Sequence, residues 1–318
     1  MRTEELLKNP GAFVPKWTGE WEPTPDMLDF EEKWTSFHTP RGRLMSCAHR
    51  GDRNEAYYPE NSLEGFLAAT MAGADILEAD IHTTKDGVLI IMHDDTLTRT
   101  TNVSSVRKSN SALPATDNIA DWTFDEIRSL RLVDKNGTVT EYAVPTLEEL
   151  IITVKDRAFI TLDKRYAFDF DKDVMDLVYK HSAFRTVLIP YDIPFERVVT
   201  IEKKVFNDTG LYMPFFAKSI RGAGILDEER VNTAVKFLDG NGMSPILRCG
   251  GFTPEEIDKH VSILKPFTST HRIYGETLVD EKDVPENWQK MVDIGYNVIM
   301  GNTIYEMLKF VKEKAFLK

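Results

Sequence analysis

The stretch DILEADIHTTKDGVLIIMHD, residues 75–94, decides the fold. Its first seven residues are a short apolar run that opens on Asp75 and carries two further acids, Glu78 and Asp80, two positions apart. A run this short reads as a strand, and a spacing of two puts both carboxylates on one face with Ile76, leaving Leu77, Ala79 and Ile81 on the other. Lys85-Asp86-Gly87 is a tight-turn signal, so VLIIMHD is predicted to return as the second strand of a hairpin. Similar apolar runs flank this unit: LMSCA (44–48), AFITLD (158–163), TVLIP (186–190), LYMPFF (211–216), SPILRC (244–249), HRIYGETL (271–278) and NVIMG (297–301). Amphipathic stretches such as SLEGFLAATMAG, TLEELIITVKD and TIYEMLKFVKEK lie between them. Asn61 or Ser62, Thr146 with Glu149, and Thr253 with Glu256 are candidate helix caps. Strands alternating with helices imply an α/β fold with a parallel sheet. Eight units over about 270 residues favour a closed (β/α)8 TIM barrel over an open doubly wound sheet. No G-x-G-x-x-G follows a first strand, which removes the main dinucleotide-binding reading.

Residues 1–43 read as an irregular N-terminal extension with tryptophans at 17, 21 and 34, packed on the barrel. Residues 44–318 read as one domain. Within it, 95–145 form an insertion over the C-terminal face, where barrel enzymes keep their active sites. Lys+Arg 39 against Asp+Glu 51 gives a net charge of −12, which argues against nucleic acid and anionic membrane as partners. No run reaches the length of a membrane span, so no stable membrane insertion is expected. Oligomeric state is not legible. Two cysteines, Cys47 and Cys249, are too few for a disulfide scaffold and read as buried free thiols. As written the chain suits the cytoplasm, while a signal peptide already removed would make it secreted or periplasmic.

Four polar clusters fall at predicted strand ends: His49-Arg50, Glu78 with Asp80, His93-Asp94, and Asp163-Lys164-Arg165. Adjacent carboxylates in a barrel mouth repel, and need a cation, a proton or basic partners. Glu78, Asp80 and Asp163 form a hard-oxygen set that suits Ca²⁺ or Mg²⁺ better than zinc. Ion pairing with Arg50, Lys164 or Arg165 is the alternative way to satisfy them. His49 and His93 can exchange protons near neutral pH, and Arg50 suits bidentate contact with phosphate. Strand alternation turns Arg165 toward the site with Asp163; if the strand ends at Asp163, Lys164 swings inward instead. Together these groups fit hydrolysis of a phosphate ester.

The strings HRG (49–51), PENS (59–62), LEADIHTTKDG (77–87) and IMHDDTLTRTT (91–101) resemble the glycerophosphodiester phosphodiesterase family, within the phospholipase-C-like phosphodiesterase superfamily. VPTLEE (144–149) and GYNVIMGNTIYEMLKF (295–310) resemble later parts of its pattern. The resemblance implies a (β/α)8 barrel that hydrolyses a glycerophosphodiester to glycerol 3-phosphate and an alcohol. It implies His49 and His93 as the acid-base pair, Arg50 on phosphate, and Glu78, Asp80 and Asp163 on Mg²⁺ or Ca²⁺. Asp163 stands where the family has Glu, Arg165 where it has Lys, Tyr274 where it has Trp, and Gly301-Asn302 where it has Thr-Asp. A sphingomyelinase D-like or phosphoinositide phospholipase C-like enzyme is the alternative within the superfamily. A catalytically silent protein that binds anionic head groups is the alternative outside catalysis.

Overall fold

The computed structural model describes residues 1–16, 21–39, 42–52, 57–163, 169–189, 195–211, 213–214, 221–222, 225–226 and 283–315, and, from 228 to 277, residues 228–229, 232–233, 235–236, 246–249, 263, 265–267, 269–270 and 272–277. Nine strands lie among them. They are β1 (Met45–His49), β2 (Ile76–Thr83), β3 (Leu89–Ile91), β4 (Phe159–Asp163), β5 (Arg221–Gly222), β6 (Ile225–Leu226), β7 (Ile246–Cys249), β8 (Arg272–Thr277) and β9 (Val298–Gly301). Strands β5 and β6 form a separate short antiparallel pair.

Six strands pair in parallel in the order β4-β2-β1-β9-β8-β7. A parallel bridge from Ile160 to Val187 adds residues 186–189 beyond β4, and Ile189 N donates to Pro214 O. The last strand thus pairs with the first, and the neighbours on each side follow in chain order. An open doubly wound sheet reverses its order at the first strand; this sheet does not, and its order is that of a barrel. Pairing between the 211–216 and 244–249 runs lies outside the described residues. The hairpin forms as read from the sequence: β3 runs antiparallel to the end of β2, with Ile81 opposite Ile91. Gly87 takes φ +85° in its turn, with open space where a Cβ would sit.

Alternation divides each strand between two apolar layers. Met45 and Cys47 of β1, Ile76 of β2, Phe159 of β4, and Val298 and Met300 of β9 form an interior cluster with Leu188. Ala48, Leu77, Ala79, Ile81, Ile160, Leu162 and Ile299 point the other way, into the core shared with the helices. The interior cluster is filled from below by Phe30 and Phe37 of the helix Phe30–Phe37. Lys33 of that helix is fully buried and donates at 2.8 Å to the carbonyls of Ala74 and Arg157, before β2 and β4. The N-terminal extension is therefore more regular than its sequence suggests, with helices at Thr3–Lys8, Pro25–Leu28 and Phe30–Phe37. Each has only one or two turns, too short for a periodic pattern to stand out. In the insertion, the helices Val103–Ser109 and Phe124–Arg128 are pinned by bridges from Thr96 to Asn118 and from Thr101 to Leu132.

The helix Leu63–Met71 starts at Ser62, whose Oγ accepts from Gly65 N at 3.1 Å. Its second residue, Glu64, is fully buried beneath the first helix of the extension. Burial pushes the Glu64 carboxyl up to about 7 from 4.5, with the Thr3 hydroxyl offsetting only part of the shift. The native state thus holds a proton that the unfolded chain releases, so this contribution to stability falls as pH rises from 4.5 to about 7. Glu64→Gln carries no such slope. Its unfolding free energy relative to wild type should rise by about 2–3 kcal/mol between pH 4.5 and pH 8. Urea titrations at both pH values measure this; an equal difference at both would contradict it.

Candidate active site

Parallel register partners point to the same face of a sheet, and this brings the polar ends of the strands together. His49 pairs with Glu78 across β1 and β2, and Asp80 pairs with Asp163 across β2 and β4. These residues continue the same face that carries Cys47, Ile76 and Phe159 lower in the barrel. Apolar side chains fill the N-terminal end, and charged ones the C-terminal end. One oxygen each from Glu78, Asp80 and Asp163 lie within 4.8 Å of one another. Glu78 and Asp80 are almost fully buried.

The loop after β1 turns sharply over these acids. Arg50 and Gly51 take φ of +59° and +80°. A Cβ on Gly51 would press on Phe66 at 3.0 Å, so glycine is required by both conformation and space. The turn aims Arg50 N at the Glu78 backbone oxygen (3.0 Å) and at Glu78 Oε2 (3.1 Å). Arg50 Nε lies 3.1 Å from Asp80 Oδ2, close enough for an ion pair but out of line for a hydrogen bond. Asn61, at φ +57°, donates from Nδ2 to Asp80 Oδ2 at 2.9 Å, while its own amide N–H bonds to Arg50 O. Asn is among the few side-chain residues that adopt this left-handed conformation readily.

Both histidines are held through Nδ1. His49 is 7% exposed, and its Nδ1 lies 2.6 Å from Asn302 Oδ1. An amide oxygen only accepts, so Nδ1 carries the proton and the neutral ring has its lone pair on Nε2, 3.8 Å from Glu78 Oε2. Asn302 is fixed in turn by buried Asp283, whose Oδ2 accepts from the amides of Asn302 (2.6 Å) and Thr303 (2.7 Å). Trp288 Nε1 donates to Asp283 Oδ1 at 2.9 Å. Any Cβ at position 301 would overlap this carboxylate, which explains Gly301. His93 is more exposed. Its Nδ1 lies 2.7 Å from Asp94 Oδ1, and hydrogen bonds from Arg99 hold the Asp94 carboxyl well below the usual carboxylate range. Asp94 is therefore an anion and a pure acceptor at neutral pH.

A divalent cation suits these residues. Burial pushes the Asp80 carboxyl above its usual range, against the opposing pull of Arg50 and Asn61. Buried acids of this kind call for further positive charge. Oxygens bound to Ca²⁺ at about 2.4 Å are about 3.4 Å apart at right angles and about 4.8 Å apart when opposite. The trio's oxygens lie close enough together to share such an ion. Among the described residues no His or Cys joins the trio, so the donor set is all oxygen.

The structure therefore brings together His49, Arg50, Glu78, Asp80, His93 and Asp163. Lys164 and Arg165 lie outside the described residues, as does the side chain of Tyr274. Two supporting residues, Asn61 and Asp283, were not singled out from sequence as parts of the site, whereas Asn302 stands at a position the family resemblance marks. Asn61 had a signal, since it belongs to PENS just before a helix start. Asp283 had none, because its partners lie 19 and 20 residues further on.

Comparison with known proteins gives the family. Residues 49–184 match the model of the glycerophosphoryl diester phosphodiesterase family. The glycerophosphodiester phosphodiesterase of Bacillus altitudinis is 36% identical over 233 residues, covering 70% of this chain and 84% of that one. This chain belongs to the glycerophosphodiester phosphodiesterase family. The family's fold extends over most of its length. A Parabacteroides distasonis glycerophosphoryl diester phosphodiesterase superposes with a TM-score of 0.65 at 22% identity, over 91% of this chain and 94% of that one. An Oleispira antarctica phosphodiesterase in complex with the product sn-glycerol-3-phosphate superposes with a TM-score of 0.55 at 15% identity, over 85% and 97%.

The His49–Asn302 contact can be tested on its own. Asn302→Ala removes the acceptor at Nδ1 and should lower kcat by roughly 10–100-fold, the usual cost of losing a partner that orients a functional histidine. Its circular dichroism and melting profile should match wild type. A kcat within twofold of wild type would show that His49 is oriented without Asn302.

Proposed function

We propose that the chain hydrolyses a glycerophosphodiester to glycerol 3-phosphate and an alcohol, with a divalent cation and with His49 and His93 exchanging protons. The observation that carries this reading is the flanking of one three-carboxylate cluster by two histidines, each anchored through Nδ1. Glu78, Asp80 and Asp163 would hold Mg²⁺ or Ca²⁺. That ion, when bound, offsets charge on the phosphoryl oxygens and acts as a Lewis acid. The product named for the Oleispira antarctica enzyme is the one expected here.

The chain's own groups divide the remaining work. Arg50 supplies fixed positive charge beside the acids and is the candidate phosphate contact. Arg165 joins it if strand alternation persists past Asp163, and Lys164 does so if it does not. With Nδ1 engaged, each histidine offers Nε2 for chemistry: one takes a proton from the attacking oxygen and the other gives one to the leaving alcohol. The fixed amide partner of His49 and the anionic partner of His93 keep the two rings from rotating between attempts. The substrate is a small molecule, and no nucleic acid enters the reaction.

The test is a panel of glycerophosphodiesters, lysophospholipids and phosphoinositols, assayed on metal-stripped protein with and without added Mg²⁺ or Ca²⁺. Glycerol 3-phosphate should form from the first group, cease with excess chelator and return with the metal. His49→Ala and His93→Ala should each lower kcat by roughly 10²–10⁴-fold. Full turnover of metal-free protein would contradict the role of the ion. A wild-type rate in either variant would remove that histidine from the mechanism.

A further inference from the structure

The PENS loop contributes a second side chain, and it touches both halves of the site. Glu60 is 12% exposed. Its Oε1 accepts from Arg50 Nη1 at 3.0 Å and from Arg99 Nη2 at 2.7 Å, and its Oε2 accepts from Arg99 Nη1 at 3.1 Å. Arg99 turns its other edge to Asp94, with Nε 2.6 Å from Oδ2 and Nη2 2.8 Å from Oδ1. Asp94 is the partner of His93 Nδ1. An unbroken chain of charged contacts thus runs from Arg50 through Glu60, Arg99 and Asp94 to His93.

Arg99 sits beside the site and is half exposed, so it invites reading as a phosphate ligand. Its hydrogen bonds argue otherwise. A guanidinium has five N–H donors in a planar fork, and the four bonds to Glu60 and Asp94 use both of its carboxylate-matching edges. Networked bidentate pairs hold geometry far better than isolated surface pairs. Both ends are also anchored. Glu60 lies just before Asn61 and the Ser62 cap, and Arg99 lies between Thr98, bonded to Asp117, and Thr101, bonded to Leu97.

We propose that Glu60 and Arg99 are positioning residues that fix the phosphate-side Arg50 and the proton-transferring His93 relative to each other. Glu60 acts through two arms: directly on Arg50, and through Arg99 and Asp94 on His93. Arg99 meets Arg50 only by way of Glu60, so its effect falls first on Asp94 and His93. This rests on the proposed roles of Arg50 and His93, and it assigns functions to two residues outside the carboxylate trio.

The experiment measures kcat and KM on a glycerophosphodiester, with the cation present, for Arg99→Ala, Arg99→Lys, Glu60→Gln, His93→Ala and the double variant Arg99→Ala/His93→Ala. Circular dichroism and melting curves confirm folding, and Arg99→Lys keeps the charge should Arg99→Ala fold poorly. Either Arg99 variant should lower kcat by roughly 10–100-fold with KM unchanged, because lysine cannot bridge two carboxylates in a fork. The double variant should be no slower than His93→Ala, since groups acting through one path are not additive. Millimolar guanidinium should restore Arg99→Ala and leave His93→Ala unaffected. Glu60→Gln should lower kcat and also raise KM through its Arg50 arm. A raised KM with intact kcat in Arg99→Ala would make Arg99 a substrate ligand and overturn the proposal. So would full additivity with His93→Ala, or a Glu60→Gln variant with wild-type constants. A wild-type rate in His93→Ala would instead overturn the underlying mechanism, and the single variant separates that outcome from the others.

Discussion

Three carboxylates converge where water is largely excluded, and the rest of the site answers that constraint. Asp80 alone meets a guanidinium, an amide and a neighbouring acid within one buried corner. Desolvated like charges at this separation repel strongly unless positive charge is supplied. Arg50 supplies part of it, drawn over the acids by the left-handed turn at Arg50-Gly51. A divalent ion held by the trio would supply the remainder. The barrel makes such a cluster affordable: apolar layers below, closed by Phe30 and Phe37, hold the strands in a register that β2 alone could not enforce.

The two histidines have different supports. His49 leans on the neutral side-chain amide of Asn302, whose backbone N–H is held by the Asp283 carboxylate before the last helix pair of the fold. His93 leans directly on an anion kept ionised by Arg99. Each device fixes the tautomer by a partner at Nδ1, and each partner is fixed by a further group. Their sources are far apart in the chain: the first path draws on residues 283–303, the second on 60 and 94–99.

Local chemistry explains what was legible in the sequence. The hairpin of β2 and β3 was legible because Lys85-Asp86-Gly87 is a turn signal flanked by apolar runs. The shared direction of Glu78 and Asp80 followed from a period of two. Ser62, one of two candidate caps, proved to be the N-cap, and Asn61 was left to bind Asp80 instead. The helices of the extension were not legible, being too short for periodicity. Nor was Asp283, whose role exists only once β9 lies beside β1 and carries Asn302 toward His49. Interactions between distant segments leave no local pattern, and the supports of both histidines are of that kind.

The proposed ion at the carboxylate cluster is the point on which the proposed chemistry turns. Crystals of the protein soaked with Mn²⁺ and glycerol 3-phosphate, measured at the manganese absorption edge, test it directly. A single anomalous peak should lie about 2.0–2.6 Å from oxygens of Glu78, Asp80 and Asp163, with the phosphate between it and Arg50. Manganese bound elsewhere, with the three acids neutralised by basic side chains alone, would contradict the metal-dependent mechanism.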